Sequence, residues 1–440
     1  MNRYSSIDRA SRALGRAAVG ALLAAGFLTA CKGDPLSVPS PTQVAANGMY
    51  VPANAQLLVN GAVGDFECAF NAYTVLGGLI GDELNDATQT ADRFPYDART
   101  HTPSDRRYAV NGCTALGAYS PLQAARISAD AIRRSLESWT DAEVPNRQRL
   151  LAQTDLVEGY SMLLLSEGFC STTFTTYDAS QNPIYGSELT RKDAAAAAEA
   201  QFTAAIAAAQ AAGASASNLL NAAYVGRARA RLDQDNLTGA RADAALVPAS
   251  FTSYDVTTGV TDRRINRVFA EAGNPLVGQA SSVGNYYRNL NDARVPTSYR
   301  GLVVRGDSIW QELKYTAADS PIPLATYREA QLIIAEADIA TNPTNTVAII
   351  NAARARGTAN GYAGQGPYVG LLTPDALKAE VVEQRRRELW LDGHHLGDMI
   401  RYSLPLTPAP GQPYRNGGTY GTSVCLNLPD IERLNNPNLH

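Results

Sequence analysis

Glu383-Gln384-Arg385-Arg386-Arg387-Glu388-Leu389-Trp390-Leu391-Asp392-Gly393-His394 closes a helix predicted over Thr373–Leu391. Thr373 is its N-cap, and Pro374 sits at the first helical position, where a missing N–H costs nothing. Glu383, Arg386, Arg387 and Glu388 stand at i, i+3, i+4 and i+5, so ion pairs can form along one face and reach neighbouring helices. Partly buried, such a network locks this helix to the helices before it and is costly to break on one side. The reading is structural, not catalytic. It places Trp390, like Trp139, in a core.

Upstream the helical period continues over Tyr327–Thr341 and Thr344–Arg356. From Phe251 to Pro323 it fails: the stretch is rich in Tyr, Asn, Arg, Gly and Pro, with short strands predicted at Arg300–Arg305 and Ser308–Lys314. Loops this long in a compact domain are usually functional. Before them come helices over Thr190–Gln210, Asn218–Leu232 and Leu237–Val247, the first opened by Thr190 and Asp193 and stopped by Gly213. Ala198, Phe202 and Ala205 carry the 4-then-3 spacing of a tetratricopeptide second helix, repeated imperfectly by Ala240, Ala244 and Val247. An alanine-rich bundle suits the same spacing. Helices over Ser120–Trp139, Arg147–Glu167 and Leu57–Leu79 complete a mainly α chain.

At the other end, Arg3, Arg9, Arg12 and Arg16 precede an apolar run from Ala17 to Leu28. A run of about a dozen residues is too short to span a bilayer and reads as a secretory signal. Leu28-Thr29-Ala30-Cys31 follows and resembles the bacterial lipobox, whose cysteine is acylated and becomes the new amino terminus. Residues 1–30 are thus expected to be a lipoprotein signal peptide, Cys31 the lipidation site, and 31–48, rich in Pro and Ser, an extended tether. Several acyl chains make a stable membrane anchor.

A net charge of −4 over 440 residues offers no clustered basic footprint for nucleic acid. Four histidines without ligand spacing, two of them adjacent at 394 and 395, argue against a metal site, and nothing implies a cofactor. Past Cys31 an even set of cysteines remains, Cys68, Cys113, Cys170 and Cys425. In an exported chain this suggests two disulfides, with Cys68–Cys113 favoured because both lie in one N-terminal region, and Cys170–Cys425 closing a long loop. Four buried thiols are the alternative. Tyr outnumbers Phe by 21 to 9, a bias toward rings with a polar tip that suits a half-wet binding surface.

Four blocks in order resemble the SusD/RagB family of outer-membrane nutrient-binding lipoproteins. They are Tyr327–Ala337, Ile350–Arg356, the Glu383–His394 stretch followed by Asp398 and Arg401, and Pro429–Glu432 with Asn436–Leu439. The likeness runs more loosely through Gly81-Asp82-Glu83 and the helices of 190–248. His395 departs from the family's usual Arg and Gly397 from its usual aromatic, which is expected to weaken packing there.

The resemblance implies a mainly α, tetratricopeptide-like helical repeat scaffold with long irregular loop insertions and a few short strands. Its domain would run over 49–440, with repeat-like helices at about 120–250, a loop-rich insertion at 251–323 and the family signature at 327–440. It also implies a non-enzymatic lid on a TonB-dependent transporter of the SusC/RagA type, capturing an oligosaccharide or a peptide. No Gly-x-Ser-x-Gly or His-Glu-x-x-His motif argues for a hydrolase. Family ligand contacts lie on loops, as an aromatic platform flanked by Asn or Arg. The candidates here are Arg93 and Tyr96 within Asp92–His101, and Tyr286, Tyr287, Arg288 and Trp310 within Asn285–Trp310.

Replacing Cys31 with Ser should abolish outer-membrane fractionation and leave uncleaved precursor in the soluble or inner-membrane fraction. Normal fractionation of the variant would refute the lipobox reading.

Overall fold

The computed structural model describes residues 46–439 apart from 89, 111, 113–115, 179, 181, 261, 275–279 and 305–306. The expected signal peptide, Cys31 and nearly all of the tether lie outside these residues, as does Cys113. Ala46–Met49, at the end of the expected tether, is a short helix in a unit separate from Pro52–His440.

The second unit is built on helices α1 (Ala55–Ile80), α2 (Tyr119–Ser138), α3 (Arg147–Gly168), α4 (Arg191–Ala212), α5 (Ser217–Asp233), α6 (Leu237–Ala244), α7 (Tyr327–Ala337), α8 (Pro343–Arg356), α9 (Pro374–Glu388) and α10 (His395–Tyr402). Local chemistry sets their ends. Thr190, Asn236, Thr326 and Asn342 each accept a backbone N–H through the side chain at a helix start, the N-cap role suited to short polar side chains. Gly213, at φ 68°, ends α4. Three helices stop three or more residues sooner than their periodicity predicts: α6 at Ala244, α7 at Ala337 and α9 at Glu388. Beyond α9 the chain turns sharply, with Leu391 at φ 57° and Gly393 at φ 77°.

From α1 to α7 each helix packs on the next in sequence, then α7, α8 and α9 pack on one another, while α10 folds back onto α1 and α3. This is the stacking of a helical repeat array, and Phe202 illustrates how it closes. Its ring lies fully buried and edge-on to Tyr160, with centroids 4.8 Å apart. A Cβ at Gly159 or Gly226 would lie 2.9 or 2.4 Å from that ring, so two glycines make the slot between α3 and α5. Ala198 and Ala205 are buried on the same face of α4. Trp390 is fully buried, and Trp139 is partly buried against the same core.

The strands form antiparallel pairs: β1 (Leu84–Asp86) with β5 (Ser281–Val283), β2 (Thr176–Tyr177) with β3 (Pro183–Ile184), β4 (Ser253–Val256) with β8 (Ile322–Thr326), and β6 (Thr297–Val304) with β7 (Asp307–Glu312). The hairpin predicted from 300 onward therefore begins three residues earlier, at Thr297. Between strands, 251–323 runs irregularly, including a π-helical turn at Phe269–Gly273.

Cys170, just past α3, is bonded to Cys425 across 255 residues of sequence. The surrounding backbone is paired as well, since Cys170 N–H donates to Leu426 O at 2.8 Å and Leu426 N–H to Gly168 O at 2.9 Å. The bridge thus fixes the C-terminal segment to the end of α3.

Glu83, beside β1, is fully buried and accepts the Leu391 N–H at 2.9 Å. Burial raises its carboxyl to about 8, against the lowering effect of that N–H, with Asp392 adding to the rise. Because the unfolded glutamate ionises near 4.5, the protonated carboxyl's stabilising contribution is complete below that value and lost as pH rises through about 8. Urea midpoints of Glu83→Gln should therefore fall less between about pH 5 and about pH 8 than those of the unaltered protein. Parallel slopes would mean that Glu83 is already ionised in the fold.

Candidate functional site

The charged signature resolves into two buried clusters. In one, Arg385 binds Asp398 at 2.8 Å, and Arg401 binds Asp398 at 3.4 Å and Glu336 at 2.5 Å. Burial acts to raise the Asp398 carboxyl, but Arg385 and Arg401 outweigh it and hold it at about 2. In the other, Arg387 bridges Glu383 and Asp292 at 2.6 and 3.1 Å, while Arg386 lies 3.4 Å from the centroid of the Tyr286 ring and donates to Tyr287 Oη at 3.1 Å. These side chains hold helices together. They do not converge on a reacting atom.

The residues at 395 and 397, expected to weaken packing, are closely packed here. A Cβ at Gly397 would already stand 3.1 Å from Glu167 Cβ, so glycine lets α10 sit directly on α3. His395 is buried edge-on to Tyr287. Burial, with Arg386 nearby, lowers it to about 3, so the ring is neutral and adds no charge beside that arginine.

A different surface gathers on the non-helical layer. β1 and β5 pair, β5 lies against β7, and β7 pairs with β6. Tyr299 and Trp310 are directly opposed across the hairpin. Their rings are 5.6 Å apart at 39°, and Tyr299 is 48% exposed. Ser282 Oγ accepts the Trp310 N–H at 2.9 Å and Arg288 Nη2 at 3.4 Å, which fixes the platform to β5. Arg288 also meets Asp307 at 3.5 Å, and Asp307 accepts from Arg415, whose other amine reaches Asp97 at 3.0 Å. Burial raises the Asp97 carboxyl above its ordinary value, even with Arg415 opposing that rise.

Both candidate loops therefore enter one layer, but only part of each reaches solvent. Trp310 and Arg288 share Ser282. Arg93 is engaged by both oxygens of Glu271, at 3.0 and 2.8 Å, in the π-helical turn that packs on β7. Tyr96 and Tyr287 are corrections: both are 0% exposed. Tyr96 is tied to Asp105 at 2.9 Å and stacked on His101, and Tyr287 is stacked on Trp390. Tyr286 is covered by Arg386 and donates to Glu383. Tyr286 and Tyr287 serve as packing partners of the charged signature, whereas Tyr96 is held within its own stretch, by His101 and Asp105.

Tyr299, Arg415 and Tyr420 are site residues that sequence reasoning passed over. Tyr420 packs edge-on to Tyr414 at 5.1 Å and lies under Arg99 at 5.0 Å. Tyr414-Arg415-Asn416-Gly417-Gly418-Thr419-Tyr420 has the composition that marked 251–323, and that was the available signal.

With this geometry in view, comparison with known proteins is decisive. The SusD family model matches residues 199–426. The chain belongs to the SusD family. A SusD superfamily protein from Bacteroides vulgatus superposes with a TM-score of 0.69 at 15% identity, covering 88% of this chain and 97% of that one. One from Bacteroides fragilis gives 0.65 at 14% identity, covering 89% and 99%. A laminarin-binding SusD-like protein gives 0.61 at 13% identity, covering 88% and 98%. At these identities the likeness carries the fold, here the mainly α, tetratricopeptide-like SusD scaffold. No curated protein sequence matches the chain.

Burial separates the two kinds of tyrosine experimentally. Tyr287→Ala should destabilise the protein by ~3–5 kcal/mol, the cost of emptying a buried aromatic site, whereas Tyr299→Ala should stay within about 0.5 kcal/mol, as exposed positions do. Equal losses in urea unfolding would contradict the placement of Tyr287 in the core.

Proposed function

We propose that this chain is an outer-membrane lipoprotein, facing the cell exterior, that captures an oligosaccharide and delivers it to a partner TonB-dependent transporter of the SusC/RagA type. The observation that carries the ligand half of this reading is the Tyr299–Trp310 platform, presented on a hairpin braced by Ser282 and flanked by Arg288. Flat rings stack on the apolar faces of sugars, and neighbouring polar groups bond the hydroxyls. Capture of this kind needs no titrating group, so the reading is of a binding protein and not an enzyme. The laminarin-binding relative is consistent with it.

The anchoring half rests on the lipobox at Cys31 and the Pro/Ser-rich segment after it. No helix among the described residues is long and apolar enough to cross a membrane, so a lipid anchor would supply the attachment. A helical array that carries its ligand surface on loops leaves the rest of the body free to seat on a transporter.

Calorimetric titration with oligosaccharides, laminarin fragments among them, and with mixed peptides tests the ligand. Each ring should contribute about 1 kcal/mol, so Trp310→Ala and Tyr299→Ala should each weaken glycan binding roughly five- to tenfold. Unaltered affinity in both variants would move the site elsewhere. Peptide binding in place of glycan binding would replace the oligosaccharide with a peptide ligand.

A further inference from the structure

At the base of the same hairpin lies an open cleft of about 380 Å3, lined among others by Arg294, Lys314, Arg328, Arg356, Glu388 and Leu313. Its volume is at the lower end of the ~300–1,000 Å3 range of small-ligand sites. Two of its cations are already matched. Arg294 is gripped by both oxygens of Asp292 at 2.9 and 2.7 Å, and Lys314 by Asp392 at 2.6 Å. The other two share one acid: Glu388 takes Arg328 at 3.2 Å and Arg356 at 3.0 Å, and meets Arg294 as well at 3.4 Å.

The surplus positive charge lies at the mouth of the cleft. The Glu388 side chain is 2% exposed, that of Arg356 30% and that of Arg328 58%. Arg328 meets Glu388 through Nη1 alone, and no other described residue engages its Nε and Nη2 edge. That edge matches a planar oxyanion in the paired geometry guanidinium favours. Leu313, 38% exposed, offers an apolar surface beside it.

The cleft lies at the base of the hairpin that carries the aromatic platform. Leu313 N–H donates to Pro296 O at 2.9 Å, and these two residues stand three positions beyond Trp310 and three before Tyr299. At about 3.3 Å per strand residue, platform and cleft are ~10 Å apart along the hairpin, and the odd offset turns Pro296 and Leu313 to the face opposite the two rings.

We propose that this cleft binds the carboxylate of an acidic sugar residue, with Arg328 as the direct contact and Arg356 in support. The choice of a sugar acid rests on the glycan reading above; the anion site does not. The test titrates the whole protein at low salt with cellobiouronic acid, cellobiose and inorganic sulfate. It uses the unaltered protein, Arg328→Gln, Trp310→Ala and, as a charge control on α4, Lys192→Ala.

The acid should bind about tenfold more tightly than its neutral counterpart. Arg328→Gln should abolish that advantage, and Lys192→Ala should keep it. If Trp310→Ala leaves all affinities unchanged while Arg328→Gln still removes the advantage, the platform reading fails and the cleft stands. Equal binding of acid and neutral sugar, no binding of the acid, or an intact advantage in Arg328→Gln overturns the proposal. Sulfate competing as strongly as the sugar acid overturns it too, in favour of an unspecific anion site.

Discussion

Arg229 is 3% exposed and lies between two acids, with Glu167 of α3 accepting from its Nε and Nη2, both at 2.5 Å, and Glu329 of α7 at 3.9 Å from its Nη1. His394, from the signature, brings its Nε2 within 2.9 Å of Arg229 Nη1 and 3.2 Å of Glu329. Four segments that are remote in sequence are thus joined around one guanidinium: α3, α5, the start of α7 and the chain between α9 and α10. Burial acts to raise the Glu329 carboxyl, and His394, Arg229 and Arg385 reverse it. A buried charge stays charged only while its partners remain in place, so this cluster fixes the register in which the C-terminal third meets the repeat helices. Gly397 belongs to the same constraint, because a Cβ there would lie 3.1 Å from the Glu167 side chain that grips Arg229.

The non-helical layer depends on that register. Glu83 holds Leu391 just past α9, and Asp392 holds Lys314 and Tyr315 just past β7. The hairpin bearing Tyr299 and Trp310 is therefore anchored to the chain between α9 and α10 at its base and to Ser282 of β5 along its length. A loop surface set on a rigid helical frame in this way loses little freedom when a ligand binds, which favours affinity. The same anchoring places the Arg328 cleft beside the hairpin, since α7, α9 and the base of the hairpin all contribute to it.

The helices and several of their ends were legible because their signals are local, while α6, α7 and α9 stop three or four residues short of their apolar period. Thr190, Thr326 and Gly213 do in the structure what short polar side chains and glycine do at any helix end, and Phe202 between alanines marked a close-packed face. The burial of Tyr96, Tyr286 and Tyr287 was not legible. Each is a tyrosine in an irregular, polar stretch whose ring is buried by packing that no periodicity marks: on His101 and Asp105 for Tyr96, on Glu383 and Arg386 for Tyr286, and on Trp390 for Tyr287. Composition marks a segment as rich in binding-type residues, but tertiary contacts decide which of them face water. Tyr299 reaches solvent because it pairs with Trp310 across a hairpin, a register that no period in the sequence specifies.

The account separates a signature that builds the frame from a loop surface that binds, and Arg229→Met distinguishes the two most directly. Urea unfolding and glycan titration are measured on the same preparation of that variant. Removing one member of a buried ion cluster should cost ~3–5 kcal/mol of stability, while the protein that remains folded binds glycan with unaltered affinity. Unchanged stability together with lost binding would contradict it, and would make Arg229 part of the ligand site.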